Sequence, residues 1–163
     1  MKQTDIMTIR RQTQADVAAV MEIVKATGFF RENEHQIALE VLEEAAAGDP
    51  ECTYQSFVSL NGSQITGWVC FGSTPCTIGT FDIYWLAVDP QQQGKGIGTK
   101  LLSFAQDEIV KQKGRLAVIE TSGSDLYAKT QRFYESNGYY LAARIKDFYA
   151  PCDDKLVFVK YYV

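Results

Sequence analysis

Three glycines lie within five residues of the stretch VDPQQQGKGIGTKLL, which covers residues 88–102. Gly94, Gly96 and Gly98 come directly before an apolar pattern of helical spacing, although a glycine costs a helix about 1 kcal/mol relative to alanine. The first turn of a helix carries unpaired N–H groups and a partial positive charge, and glycines let a phosphate approach that backbone closely. The spacing therefore predicts an anion-binding loop, with an ordinary turn before a helix as the alternative.

The elements that must position this loop follow a mixed α/β pattern. Runs rich in β-branched and aromatic residues are interspersed with apolar residues at helical spacing, in the order β-α-α-β-β-β-α-β-α-β-β. The first strand is predicted at residues 6–10 and the last at residues 155–163. Asn61-Gly62, between two strand patterns, predicts a hairpin turn and antiparallel pairing. Since strands and helices do not alternate strictly, we expect one domain over residues 1–163 with a mixed sheet.

Composition restricts the classes of partner. The 163 residues include 46% apolar and 22% charged residues with a net charge of −4, which is typical of a globular domain and argues against a nucleic-acid surface. There is no signal-peptide core and no run of 18 apolar residues, so we expect a soluble, cytoplasmic protein with no membrane partner. Four cysteines without zinc-site spacing and a single histidine indicate that no metal is bound.

Two common phosphate-binding motifs do not fit the glycine-rich loop. A dinucleotide-binding fingerprint requires its glycines after the first strand, and it requires glycine or alanine where Thr99 stands. A nucleoside-triphosphate loop requires glycine at Asp89 and a hydroxyl residue at Gly96. The loop therefore belongs to another class of phosphate site.

The segment from Gln93 to Gly98, placed between a strand and a helix, resembles the acyl-CoA signature of the GNAT superfamily of N-acyltransferases. The family pattern is Arg or Gln, two residues, Gly, one residue, and Gly or Ala, which Gln93, Gly96 and Gly98 match. RFYESNGY at residues 132–139 is similar to the family's later motif and stands at the usual separation from the first. The resemblance covers most of the chain and points to a small single-domain bacterial branch.

This resemblance implies a GNAT-like fold, in which helices flank a mixed, mostly antiparallel sheet with one splayed parallel strand pair. Acetyl-CoA would lie where the parallel strands separate, with its pyrophosphate on the glycine loop and its pantetheine arm along the preceding strand. Many members carry asparagine at the position of Tyr127, so the contact made by that asparagine does not carry over unchanged. The residues implied in cofactor binding are Leu86, Ala87, Val88, Gln93, Gly94, Lys95, Gly96, Ile97, Gly98, Thr99 and Tyr127.

The activity implied is acetyl transfer from acetyl-CoA to a primary amine by direct attack on the thioester. An amine of pKa about 10.4 is neutral in only about one molecule in 10^3.4 at pH 7, so a base or a proton-accepting water chain is needed. Asp82 stands where the family often has its base, and strand alternation places it on the same face as Leu86 and Val88. Glu120, near the end of the next strand, is the rival, and water or another group stays open.

The leaving thiolate needs a proton donor, which the family commonly takes from the tyrosine matching Tyr134. The alternative is that Tyr134 only packs its helix against the sheet, a role that suits Phe133 better. At the acceptor end, Glu32 and Glu34 are expected to attract a cationic acceptor together with Asp147. His35 is expected to be a surface or capping residue.

Other functions compatible with the sequence are a non-catalytic acyl-CoA-binding or sensing module and a structural interaction domain. The interaction domain would leave the glycines of the loop unexplained. The sequence does not specify the oligomeric state, and a homodimer is one of the states open.

Overall fold

The computed structural model describes residues 7–162 and contains seven strands and four α-helices there. Three single 3-10 turns occupy residues 14–16, 90–92 and 125–127. The helices are α1 (Val17–Ala26), α2 (Glu32–Ala46), α3 (Ile97–Lys111) and α4 (Ala128–Ser136). The strands are β1 (Met7–Arg11), β2 (Gln55–Asn61), β3 (Gln64–Ser73), β4 (Thr80–Val88), β5 (Leu116–Ser122), β6 (Tyr140–Ala150) and β7 (Asp153–Tyr161).

The strands are hydrogen-bonded in the order β1-β2-β3-β4-β5-β7-β6. The pair formed by β4 and β5 is parallel, and the pairs of β2 with β1 and β3 and of β7 with β5 and β6 are antiparallel. The predicted element order and the mixed, mostly antiparallel sheet with one parallel pair are therefore confirmed. Ile6 and Val163, the outer ends of the predicted first and last strands, lie outside the described residues. No helix within residues 7–162 is long and apolar enough to cross a membrane.

The chain divides into two compact units. Unit 1 contains the chain up to Gly72 together with Trp85–Ala105, and unit 2 contains Ser73–Tyr84 and the chain from Gln106 onward. The boundary passes through β4 and α3, so each of these elements contributes residues to both units.

The core of unit 1 is built on Trp68 of β3. Its indole is fully buried, donates a hydrogen bond from Nε1 to Ser56 Oγ over 2.8 Å, and stacks on Trp85 with 5.6 Å between ring centroids. Phe30, just before α2, contacts Trp85 from another side at 5.1 Å. The end of β4 and the start of α2 are thus held by one aromatic cluster, as expected for side chains that each bury a large apolar area.

Unit 2 has one packed sheet face and one open sheet face. Phe81, Ile119 and Phe158 are almost fully buried, and Tyr134 of α4 packs on Phe158 with 5.9 Å between ring centroids. Strand alternation places the intervening residues on the opposite face, where those in the middle of the sheet are half-buried or exposed and Thr80, Ser122 and Val159 are buried. We call this opposite side the open face and define it by Asp82, Val118, Glu120, Lys155 and Val157.

Candidate active site

The glycine-rich loop lies in unit 1. At two of its positions the backbone has a conformation that only glycine adopts without strain. Gly94 has a φ of 77° and Gly96 a φ of 78°, both in the left-handed region. A Cβ added at either residue would meet no atom within 4 Å, so the space above both glycines is open. Helix α3 begins at Ile97. The first hydrogen bond of the helical type at this end is donated by Lys100 N–H to Gly96 C=O. The N–H groups of the preceding first turn are therefore available to an anion.

The side chains of the loop separate into exposed and buried groups. Gln93, Lys95 and Thr99 are exposed. Gln93 Nε2 donates to Val88 C=O at 3.3 Å, and Lys95 Nζ donates to Gln92 Oε1 at 2.8 Å. Ile97 is buried and anchors the start of α3, so only its backbone N–H can contact a ligand. Gly98 lies in the first turn of α3 and is half-buried.

Gly67 of β3, which was not predicted as a site residue, controls how closely α3 approaches the strands. A Cβ at Gly67 would lie 2.8 Å from Leu101 Cδ1 of α3 and 3.0 Å from the carbonyl oxygen of Ala87. Such distances leave no room for a methyl group, so the glycine allows α3 to pack directly over β3 and the end of β4. The signal in the sequence that could have identified Gly67 is a glycine inside a strand pattern, which often marks a close approach of another backbone.

The predicted pantetheine strand is the second half of β4. Ala87 is buried, whereas Leu86 and Val88 are half-buried. Beyond Val88 the chain is tied back to β3, because Asp89 N–H donates to Thr66 C=O at 3.0 Å. Asp89 also accepts a bond from Gln91 N–H, which fixes the turn that leads into the glycine loop.

Asp82 lies on the open face of unit 2, on the side of β4 opposite the buried Phe81 and Ile83. In the parallel pair, the register runs from Thr80 opposite Leu116 to Asp82 opposite Val118, while both strands continue further. Thr74 Oγ1 donates to Asp82 Oδ2 at 2.6 Å, which orients the carboxylate. Asp82 is half-buried, and Thr74 contacts only its Oδ2.

Glu120 lies on the same open face, but it is engaged in an ion pair. Lys155 Nζ is 2.6 Å from Glu120 Oε2. Glu120 is thus a salt-bridged carboxylate, whereas the partner of Asp82 is a neutral hydroxyl group.

Tyr134, in α4, takes the packing role that we expected of Phe133. It keeps only 7% of its surface exposed, and its ring contacts Tyr139 and Phe158, whereas Phe133 is half-buried. Burial raises the pKa of the Tyr134 hydroxyl above its usual range, with smaller contributions from Tyr139 and Tyr127.

Tyr127, where the family often has asparagine, is the last residue of the 3-10 turn before α4. Its N–H donates to Ser124 C=O at 3.0 Å, which closes that turn. Tyr127 and Tyr134 belong to the same unit, whereas all residues from Leu86 to Thr99 belong to unit 1.

The residues expected at the acceptor end have unequal roles. Glu32 is exposed, but Glu34 Oε2 accepts a 2.7 Å bond from Arg31 N–H and so caps the start of α2. Asp147 is exposed and accepts from Cys152 N–H at 2.7 Å, so it shapes the turn between β6 and β7. His35 differs from the expectation of a surface or capping residue, because its Nε2 is buried without a hydrogen-bond partner in the described chain.

Within residues 7–162 no cluster of histidine, cysteine and carboxylate groups could hold a metal ion. Cys70 is fully buried, and burial raises the pKa of its thiol well above the usual range, so it is unsuited to be a nucleophile.

Comparisons with known proteins agree with this geometry. A family model described as an acetyltransferase (GNAT) domain matches residues 53–141, which is more than half of the chain. A crystal structure from Desulfovibrio desulfuricans, assigned to the GNAT family of acetyltransferases, is 36% identical with a TM-score of 0.92, covering 96% of this chain and 99% of that chain. The protein yncA of Salmonella typhimurium, solved with acetyl-CoA, is 26% identical with a TM-score of 0.73, covering 95% and 93% of the two chains.

A curated relative gives a narrower match. S-(2-succino)cysteine N-acetyltransferase of Bacillus subtilis (strain 168) is 33% identical over 69 residues. The aligned segment spans 42% of this chain and 42% of the length of that relative.

Proposed function

The chain belongs to the GNAT acetyltransferase family, and we propose that it transfers the acetyl group of acetyl-CoA to a primary amine by direct attack on the thioester. Family membership makes the protein an acyltransferase with acetyl-CoA as its co-substrate. The observation that carries the proposal is the open glycine loop at the start of α3, where Gly94 and Gly96 leave room for a phosphate beside free N–H groups.

The loop would bind the pyrophosphate through backbone groups. The N–H groups of Gly94, Gly96, Gly98 and Thr99 hold the anion, and Gln93 and Lys95 lie at its rim. Each favourable charge at a helix start contributes about 0.3–1 kcal/mol, so several groups must act together. The backbone of Leu86, Ala87 and Val88 pairs with the pantetheine amides as an added strand would.

Asp82 is the proposed general base. Asp82, directly or through water, first takes a proton from the ammonium group and passes it to solvent. The nitrogen lone pair then attacks the carbonyl carbon, the N–C bond forms as the C–S bond breaks, and a second N–H proton leaves by the same route. Thr74 supports this role, because it occupies one carboxylate oxygen and leaves the other for the proton. Glu120 is less suited, since Lys155 already neutralises it.

Tyr134 is the proposed donor to the leaving thiolate, and solvent returns a proton to it afterwards. Because its pKa is raised, the hydroxyl stays protonated at neutral pH and can donate.

The test is a transfer assay with acetyl-CoA and a panel of primary amines. The panel contains small amines, amino acids, a lysine peptide and, because the curated relative acts on one, an S-substituted cysteine. We expect release of free CoA together with the mass of an acetylated product, with Gly96→Glu as the background control. Binding of acetyl-CoA without transfer to any amine would contradict the proposal and favour a sensing module.

A further inference from the structure

Three charged side chains lie on successive rows of the open face of unit 2. Asp82 is in register with Val118, Glu120 stands two residues further along β5, and Lys155 pairs with Ser122, two residues beyond Glu120. Residues two apart on a strand lie about 7 Å apart on the same face. The face therefore carries two negative charges and then one positive charge on a diagonal across β4, β5 and β7.

The side chain of Lys155 is more buried and makes more contacts than that of Glu120, its partner in the ion pair. Its side chain is only 14% exposed, and its Nζ lies 4.3 Å from the ring centroid of Phe148 in a cation–π contact. Glu120, whose Oε2 is 2.6 Å from Nζ, is 49% exposed. An ion pair with one exposed member contributes little to stability. A ligand carboxylate could replace Glu120 at Lys155 at small cost, whereas loss of every anionic partner would leave a mostly buried ammonium unpaired.

Apolar surface borders this ion pair. Phe148 is 50% exposed, and Ile145, which pairs with Lys155 across β6 and β7, is similarly open. Val118 and Val157 on the same face are half-buried. Water is less able to screen charges beside such a surface, so the charge pattern can select a ligand.

We propose that the acceptor is a zwitterionic amino acid whose carboxylate binds Lys155 and whose ammonium group lies toward Asp82 and Glu120. This inference rests on the proposed function and specifies its substrate class. A polycation would meet Lys155 with like charge, and an acceptor without a carboxylate would leave Lys155 unused. The apolar border suits an amino acid with an apolar or thioether side chain, which would contact Phe148 and Ile145.

The experiment compares each amino acid with its α-amide, which keeps the amine and lacks the carboxylate. The pairs are made from leucine, methionine, S-methylcysteine and phenylalanine, and kcat/KM for acetyl transfer is measured for both members. We expect the better amino acids to exceed their amides at least tenfold, although the amide amine is the more easily deprotonated. A ratio near one or below one in every pair would overturn the inference.

Variants of Lys155 test whether this residue causes the preference for amino acids over their α-amides. Lys155→Met should bring the ratio of amino acid to amide close to one, and Lys155→Arg should retain most of it because the positive charge is kept. Lys111→Met is the matched control, since Lys111 forms an exposed ion pair with Glu108 at the same 2.6 Å, and it should leave the ratio unchanged. An unchanged ratio in Lys155→Met would also overturn the inference.

Failure of the proposed function gives a different result. Absence of transfer to every amine, amides included, overturns the acetyltransferase proposal and this inference with it. Transfer to amides as fast as to amino acids overturns the zwitterion inference alone.

Discussion

Asp82 and Glu120 share one sheet face but have different partners, and pH profiles separate their roles. Thr74 contacts Asp82, while Lys155 neutralises Glu120. We expect kcat/KM to rise with pH as the amine and base lose protons, and Asp82→Asn to flatten this rise. Glu120→Gln should keep the wild-type shape. If Glu120→Gln loses the rise while Asp82→Asn keeps it, Glu120 is the base.

Tyr134→Phe tests the proposed proton donor, because it removes only the hydroxyl group. The ring still packs on Phe158 and Tyr139, so the fold and acetyl-CoA affinity should be unchanged. We expect kcat to fall at least tenfold, or about 1.4 kcal/mol in the barrier. Steady-state kinetics with titration of acetyl-CoA measure both quantities. An unaltered kcat would show that the thiolate is protonated by another group.

Individual site residues were predictable only where local pattern decides their placement. Alternation along β4 placed Asp82 on the open face, and the glycine spacing marked Gly94 and Gly96. The Thr74 contact to Asp82 and the Lys155 contact to Glu120 join residues distant in sequence, so no spacing rule could give them.

At the scale of elements, Asp16 joins β1 to the start of α1. Arg10 donates to both carboxylate oxygens at 2.7 and 2.9 Å, and Thr13 N–H donates at 2.8 Å. Chiefly the Arg10 hydrogen bonds lower the pKa of Asp16 from 3.8 to about 2. A carboxylate with a lowered pKa stabilises the fold above its unfolded pKa and loses this contribution as pH falls toward the folded pKa.

Asp16→Asn should therefore lower the free energy of unfolding by about 1–2 kcal/mol at pH 7, with allowance for the partial exposure of Arg10. Urea denaturation should show a constant difference from wild type between pH 7 and about 5. The difference should shrink below about pH 4, as Asp16 becomes protonated in the unfolded chain. Exposed Asp107→Asn is the control. A difference that does not change with pH would contradict the electrostatic explanation.

Gly67→Ala tests the close packing of β3 against α3. The added methyl group would crowd Leu101 and the Ala87 carbonyl, so we expect a loss of about 1–3 kcal/mol in the free energy of unfolding. Gly123→Ala is a milder control, because its nearest atom would be 3.3 Å away. Equal stability of Gly67→Ala and wild type would show that α3 can shift at no cost.

The elements themselves were largely predictable, because apolar periodicity and turn residues decide them locally. β3 lies over Gln64–Ser73, the range of the strand pattern QITGWVCFGS, and the Asn61-Gly62 hairpin is present. The pattern YYLAARI indicates a strand over residues 139–145, but β6 extends to Ala150 because its partner β7 supplies a pairing that the sequence of β6 does not reveal. The pattern TQADVAAVMEIVKATG indicates a helix that begins near Thr13 or Gln14, but residues 14–16 form a 3-10 turn in which the Asp16 carboxylate accepts hydrogen bonds from Arg10 and Thr13.

At the scale of the whole molecule, the order of elements and two short motifs identified the family. The sequence does not identify the acceptor. Its acidic residues at the expected acceptor end suggested only that the acceptor is a cation. The zwitterionic acceptor that we propose instead depends on the ion pair between Lys155 and Glu120, which the pairing of β5 with β7 makes possible.

Isothermal titration of acetyl-CoA into wild type and Gly96→Glu tests the central claim that the glycine loop is the cofactor site. We predict one bound acetyl-CoA per chain for wild type and no detectable binding for Gly96→Glu, whose carboxylate would occupy the place of the pyrophosphate. Gly96→Ala carries the same backbone strain without the charge and should still bind. Gly48→Glu, at a φ of 72° with open space around it, should bind as wild type does. Equal affinity of Gly96→Glu and wild type would contradict the account.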